Sequence, residues 1–245
     1  MTWSIVARDR GGALGVAVAS RFFAVGALCP YARGGVGALA TQALVNPGYG
    51  PAGLELLARG HAPSAVIERL VAADPGRAVR QVHLVDAQGR VAAYTGGECV
   101  GWCGHTARED CSIAGNMLAG PQVLEATADA YRDHPDLPFA ERLIAAMEAG
   151  EAAGGDRRGR QSVALRIVTT EDYPALDLRV DDHDDPLREL RRLRARSRER
   201  FEPYVRCLPS RANPAGITDR DVIEREIERF QAEQARPATA TGNGR

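Results

Sequence analysis

Strand-forming and helix-forming stretches of this sequence fall in separate blocks, and that order limits the folds open to the chain more than any single motif does. Residues 2–9 (TWSIVARD) and 14–20 (LGVAVAS) are runs of apolar and small residues joined by Gly11-Gly12, which predicts a β-hairpin at the start. Residues 35–41 (GVGALAT) predict another strand. The breaker Asn46-Pro47-Gly48-Tyr49-Gly50-Pro51 then opens a helix over 52–59, followed by a second helix over 64–73 with Ser64 as its cap. Residues 79–85 and 90–94 flank Asp86-Ala87-Gln88-Gly89 and predict a second hairpin. A strand over 111–114 runs into Gly115-Asn116-Met117-Leu118. Helices over 122–133 and 138–150 come next, the first with Val123, Ala126, Thr127 and Ala130 at helical spacing. Strands over 162–168 and 176–180 close the series. The order of strands, two helices, strands, two helices, strands predicts an α+β fold rather than a doubly wound parallel sheet. Two packed antiparallel sheets, each covered by a helix pair, satisfy it.

Residues 1–207 are assigned to this domain, since 245 residues suffice for one substantial core without staples. Residues 208–245 turn to Pro, Ser, Asn and Arg, and are expected to form a polar tail with a short helix near 219–234 and a disordered end. A formal net charge of -1 exerts no global pull toward nucleic acid or an anionic membrane. All 31 basic residues are Arg, so no Lys amine is available as base or Schiff-base former. The start lacks a secretion signal, and no apolar run reaches the roughly 18 residues of a spanning helix. The odd set Cys29, Cys99, Cys103, Cys111 and Cys207 reads as free thiols in a reducing, cytoplasmic setting. Cys99, Cys103, His105 and Cys111 match no trusted zinc spacing, so no metal is expected. The acidic run Asp181 to Asp185 reads as the approach to a helix N-terminus.

Period two places Thr2, Ser4 and Val6 on one face of the first strand, opposite Trp3, Ile5 and Ala7. A small second residue allows removal of the initiator Met, which leaves Thr2 with a free α-amine able to accept its own hydroxyl proton. Ser4 is the rival hydroxyl on that face, although three residues would have to be removed to make it N-terminal. Asn116 offers an amide for a tetrahedral oxyanion. The glycine-rich, charged loop Gly154 to Ser162 could face an anion, with Asp156 holding an amine or ordering an Arg. Arg33, Gln42 and Asn46 lie on segments expected to rim a cleft. The five histidines are scattered, and spacing suggests no Ser-His or Cys-His pair.

The segments TWSIVARD, LGVAVASRFFAVGA, GGVGALATQALVNPGYGPAGLELL, VRQVHLVDAQGRVAAYTG, AGNMLAGPQVL, GGDRRGRQSVAL and LRVDDHDDPLREL resemble, in order, the bacterial family called domain of unknown function 1028. The resemblance covers residues 2–194 and implies the four-layer αββα sandwich of N-terminal nucleophile hydrolases, with the nucleophile at the start of the first strand. That supports Thr2. The expected function is a small-molecule amidohydrolase cleaving a C–N bond beside a carbonyl or imine carbon without a cofactor. The alternative is a catalytically silent homologue serving as a ligand-binding or assembly subunit. The expected partners are a small-molecule substrate and further copies in a homo-oligomer, with neither nucleic acid nor membrane.

Overall fold

The computed structural model describes residues 2–235. The apolar runs at the start pair as antiparallel strands β1 (Thr2–Arg8) and β2 (Leu14–Ser20). Their turn closes through Gly12, whose φ of 87° would strain any side chain. Next come β3 (Pro30–Arg33), β4 (Gly37–Ala43), α1 (Tyr49–Ala58) and α2 (Pro63–Ala72). The chain continues as β5 (Arg80–Asp86), β6 (Val91–Thr95), β7 (Trp102–Arg108) and β8 (Cys111–Leu118). After α3 (Gln122–Asp133) and α4 (Phe139–Ala152) it returns through β9 (Ser162–Val168) and β10 (Leu176–Val180). Helices α5 (Pro186–Ser197), α6 (Phe201–Val205) and α7 (Arg220–Ala235) follow.

One sheet has the order β10-β9-β2-β1-β8-β7 and the other β3-β4-β5-β6, with every pairing antiparallel. Helices α3 and α4 lie on the six-stranded sheet and α1 and α2 on the four-stranded one. The result is the expected four-layer αββα sandwich. Leu39, Val82 and Leu84 pack outward against Leu54, Leu57, Val66 and Leu70 of α1 and α2. Val6, Leu14, Val16, Ala38, Ala40, Val85 and Val168 fill the space between the sheets. Each fully buried Val or Leu there contributes about 1.5–3 kcal/mol.

Local expectations needed correction in three places. Ser64 does not cap α2; Ala62 precedes it in extended conformation and Pro63 takes the first helical position, where its missing N–H costs no hydrogen bond. The buried face of α3 is Val123, Leu124, Thr127, Ala128 and Tyr131, while Ala126 and Ala130 are half-buried, because the larger side chains set which face turns inward. Strands β3 and β7 were not foreseen, being edge strands whose short or polar sequences, PYAR and WCGHTAR, carry no apolar run. Asp185 does approach a helix start: its Oδ1 accepts the Arg188 N–H at 3.2 Å in the first turn of α5.

By internal contacts the chain divides into Met1–Arg191 and Arg192–Arg245. The first unit holds both sheets and α1 to α4. In the second, α6 and α7 pack together and the Arg206 guanidinium lies 4.7 Å from the Phe230 ring. Residues 236–245 of the expected disordered end lie outside the described residues. Among the described residues, no helix is long and apolar enough to cross a membrane.

Candidate active site

Register builds a polar row at one end of the sandwich. Directly opposed residues on antiparallel strands project to the same face. Thr2 opposes Ser20 on one side and Asn116 on the other, while Ser20 opposes Ser162 and Asn116 opposes Cys103. Across the gap, Gln42 opposes Gln81, and Gln81 opposes Thr95. The inter-sheet space is thus apolar around Val6, Val16 and Val85 and polar at the end where β1 begins. Thr2 is 6% exposed and Ser4 fully buried.

Buried polar groups need partners, and here Thr2 and Ser20 form one pair while Ser4, Gln42, Gln81, Asn116, His83 and Ser112 form a connected chain. Thr2 Oγ1 lies 3.1 Å from Ser20 Oγ. Gln81 Nε2 lies 2.9 Å from the backbone carbonyls of both Gly104 and Gly115. Carbonyls only accept, so this end of Gln81 is the donor and its Oε1 must accept elsewhere. Gln42 Nε2 donates to that Oε1 at 2.8 Å and Asn116 Nδ2 at 3.1 Å. Gln42 therefore turns its own Oε1 toward Ser4, whose hydroxyl donates to it at 2.6 Å. With that proton spent, the 2.7 Å contact between Ser4 Oγ and His83 Nε2 requires the ring to donate. His83 Nδ1 is then the acceptor for Ser112 Oγ, 3.1 Å away. Two backbone carbonyls in this way set the direction of every later hydrogen bond.

Burial, and after it the charge of His105, push the fully enclosed His83 down to about 3, which keeps the ring neutral. A neutral ring donating through Nε2 offers Ser4 a proton rather than taking one. Asn116, by contrast, keeps its second N–H and its Oδ1 without a hydrogen bond to another described residue. Its amide is oriented by Gln81 and placed opposite Thr2.

Of the residues singled out in the sequence, the structure brings Thr2, Ser4, Gln42 and Asn116 to this end of the sandwich. Asp156 adjoins it: its Oδ2 accepts the Arg21 N–H just beyond Ser20 at 2.8 Å, and its Oδ1 accepts the Arg158 N–H at 2.8 Å. Asp156 also forms a β-bridge with Leu118, so it ties the 154–162 loop to the ends of β2 and β8. Arg33 is not brought here. The β3–β4 register places it opposite Gly37, at the other end of β4 from Gln42, within 3.7 Å of Glu55 and 3.5 Å of Asp172. Asn46 also turns away, donating to Asp74 Oδ2 at 3.0 Å and accepting the Gly48 N–H. The Asp74 carboxyl is held well below the usual carboxylate range, chiefly by the Tyr49 hydroxyl, with Asn46, the Gly76 N–H and Arg80 adding to it. Cys103 donates to the Cys99 carbonyl, His105 bonds Thr95 at 2.9 Å, and Cys111 sits at the turn end of the β7–β8 ladder.

Ser20, Gln81, His83 and Ser112 were missed. Gln81 and His83 did leave a signal: two polar residues at period two inside the apolar run RQVHLVD, on the face that β4 and β6 neighbours turn inward.

The layer order and the antiparallel pairing define the class of the protein as an α+β, four-layer αββα sandwich, with Thr2 and Ser4 on a central strand of its six-stranded sheet. A family model, the family of unknown function DUF1028, matches residues 2–190, and the chain belongs to that family. A Silicibacter pomeroyi protein of known crystal structure, matched by the same family model, is 32% identical with a TM-score of 0.83, over 89% of this chain and 96% of its own. Weaker structural matches include Anbu (ancestral beta-subunit) from Yersinia bercovieri, at 12% identity and TM-score 0.38 over 80% of this chain and 94% of that one. HslV from Trypanosoma brucei aligns at 11% identity and TM-score 0.36, over 68% of this chain and 99% of its own. No curated protein matches the sequence.

Proposed function

We propose that the protein is a small-molecule amidohydrolase that uses Thr2 as an N-terminal nucleophile on a C–N bond of amide or imine type. The observation that carries this reading is the placement of the Thr2 hydroxyl on a central strand, bonded to Ser20 on one side and opposed on the other by an oriented Asn116. Once whatever precedes Thr2 is removed, its α-amine takes the hydroxyl proton as Oγ1 attacks the substrate carbon. The free N–H of Asn116 then stabilises the charge developing on the substrate's carbonyl oxygen. Collapse breaks the C–N bond, the ammonium proton leaves with the amine, and water cleaves the ester on Thr2. The groups required are the chain's own and water. Ser4 serves this reading as scaffold, because its proton is committed to Gln42 and its lone pair to His83.

Intact mass combined with an acylating, hydroxyl-directed probe tests this without a known substrate. The expected outcome is a mature chain beginning at Thr2 and a single adduct mapped to it, lost in Thr2→Ala and kept in a folded Ser4→Ala. An adduct on Ser4, or a retained Met1 with no adduct, overturns it. The latter is the outcome expected of a silent binding or assembly subunit, a reading favoured by the near-complete burial of Thr2, Ser20, Gln42 and Asn116.

A further inference from the structure

The β1 strand ends, at Arg8, on a cavity that the proposed chemistry does not use. From Thr2 to Arg8 it rises about 20 Å at roughly 3.4 Å per residue, so the two sites are at opposite ends of the sandwich. The cleft has a volume of about 600 Å³, within the roughly 300–1,000 Å³ of small-molecule sites. Its walls come from the end of β1, the β7–β8 turn, and α3 and α4, and they carry five arginines, Arg8, Arg10, Arg108, Arg132 and Arg142.

Their charges are unevenly compensated. Arg132 is held by Asp129 and Asp133, and Arg8 lies 3.7 Å from Asp110 while its Nε donates to the Ala87 carbonyl. Arg10, Arg108 and Arg142 have no carboxylate partner among the described residues, and Glu109 is the one lining carboxylate left without a cation. Three unpaired guanidiniums face one unpaired carboxylate, and the second carboxylate on Arg132 offsets part of their charge, so the five arginines exceed Asp110, Asp129, Asp133 and Glu109 by one.

Arg142 is also built in place rather than waving in solvent. Its Nε donates to the Tyr131 carbonyl at 2.5 Å, and its guanidinium stacks 3.7 Å from the Tyr131 ring. Tyr131 is itself fixed, buried with its hydroxyl donating to the Arg8 carbonyl at 3.3 Å. Anchored at Nε and stacked on its face, Arg142 keeps both terminal nitrogens for a bidentate oxyanion contact. A solvated surface cluster would show neither the concavity nor this anchoring.

We propose that this cleft is a separate binding site for a small molecule bearing two or more negative charges on phosphate or carboxylate groups, with Arg142 as its central contact and Arg108 and Arg10 closing over it. The test is calorimetric titration of the full chain in low salt with inorganic pyrophosphate and, separately, citrate. One saturable site per chain is expected for at least one of them, and the stronger of the two identifies the oxyanion type. Arg142→Gln and Arg108→Gln should each weaken it about tenfold or more, while Thr2→Ala binds as the wild type does. Arg108 bonds only within its own strand, to Thr106 and Ala107, so Arg108→Gln decides the matter if Arg142→Gln does not fold. The proposal is overturned if neither anion saturates, if Arg108→Gln binds unchanged, or if Thr2→Ala loses binding, since the last puts the anion in the inter-sheet row. None of these results bears on whether Thr2 is a nucleophile.

Discussion

At the scale of single residues, the polar row is governed by hydrogen-bond direction. Gln81 has its amide oriented by two carbonyls and passes that orientation to Gln42, Ser4 and His83 in one direction and to Asn116 in the other. His83 pays for its burial in proton affinity. It titrates at about 3 when folded, against an ordinary value near 6.5 in the unfolded chain. Between these values the unfolded state binds more protons, so stability is fully present above about pH 6.5 and is lost as pH falls toward 3. At pH 5 the loss depends only on the folded value lying well below 5, and amounts to about 2 kcal/mol. Thermal melting from pH 7 to pH 5 should therefore fall steeply in the wild type and more gently in His83→Gln. His105, also pushed down by burial, acts with the same sign in both proteins, so the comparison isolates His83. Equal slopes would mean that the ring is hydrated or charged in the folded chain.

At the scale of elements, the helix pair meets the six-stranded sheet through a glycine. Gly150 of α4 has Thr127 of α3 and Trp3 of β1 so close that an added Cβ would lie 2.3 Å from Thr127 Oγ1 and 2.9 Å from Trp3 Nε1. Two effects compete in Gly150→Ala. Helix propensity favours Ala by about 1 kcal/mol, whereas forcing a methyl into a packed core costs about 1–3 kcal/mol. Thr127 Oγ1 already donates to the Val123 carbonyl at 2.7 Å and cannot swing aside without losing that bond. Packing should win, and the variant should melt several degrees lower. A rise in melting temperature would show that α3 and α4 can spread. The same scale separates elements that could be read in advance from those that could not. The strand over 162–168 and the helix over 122–133 matched their expected limits because each has a full apolar face. Edge strands β3 and β7 have one neighbour and half an apolar face, so their pairing rather than their composition makes them strands.

At the scale of the whole molecule, both sheets and the polar row belong to Met1–Arg191. Deleting residues 208–245 should leave the circular dichroism of this unit and its melting temperature within about 5 °C of the full chain, because its cores are made from residues before 208. Precipitation or a larger drop would show that the deleted segment completes the first unit or an interface between copies. The sequence by itself determined the block order, the α+β class, the face on which Thr2 and Ser4 lie, and the family, because periodicity and turn residues are local properties of the chain. It could not decide which of its scattered polar residues meet. Ser4 reaches His83 across 79 positions and Gln81 reaches the Gly115 carbonyl across 34, contacts that exist only once two sheets are stacked in one register. Arg33 and Asn46 looked equivalent to Gln42 as rim residues until antiparallel pairing sent Arg33 to the opposite end of its hairpin and Asp74 drew Asn46 to the helices. A side chain's face is fixed by the period of its own strand, whereas its partner is fixed by which strand lies opposite, and that is a property of the tertiary structure alone.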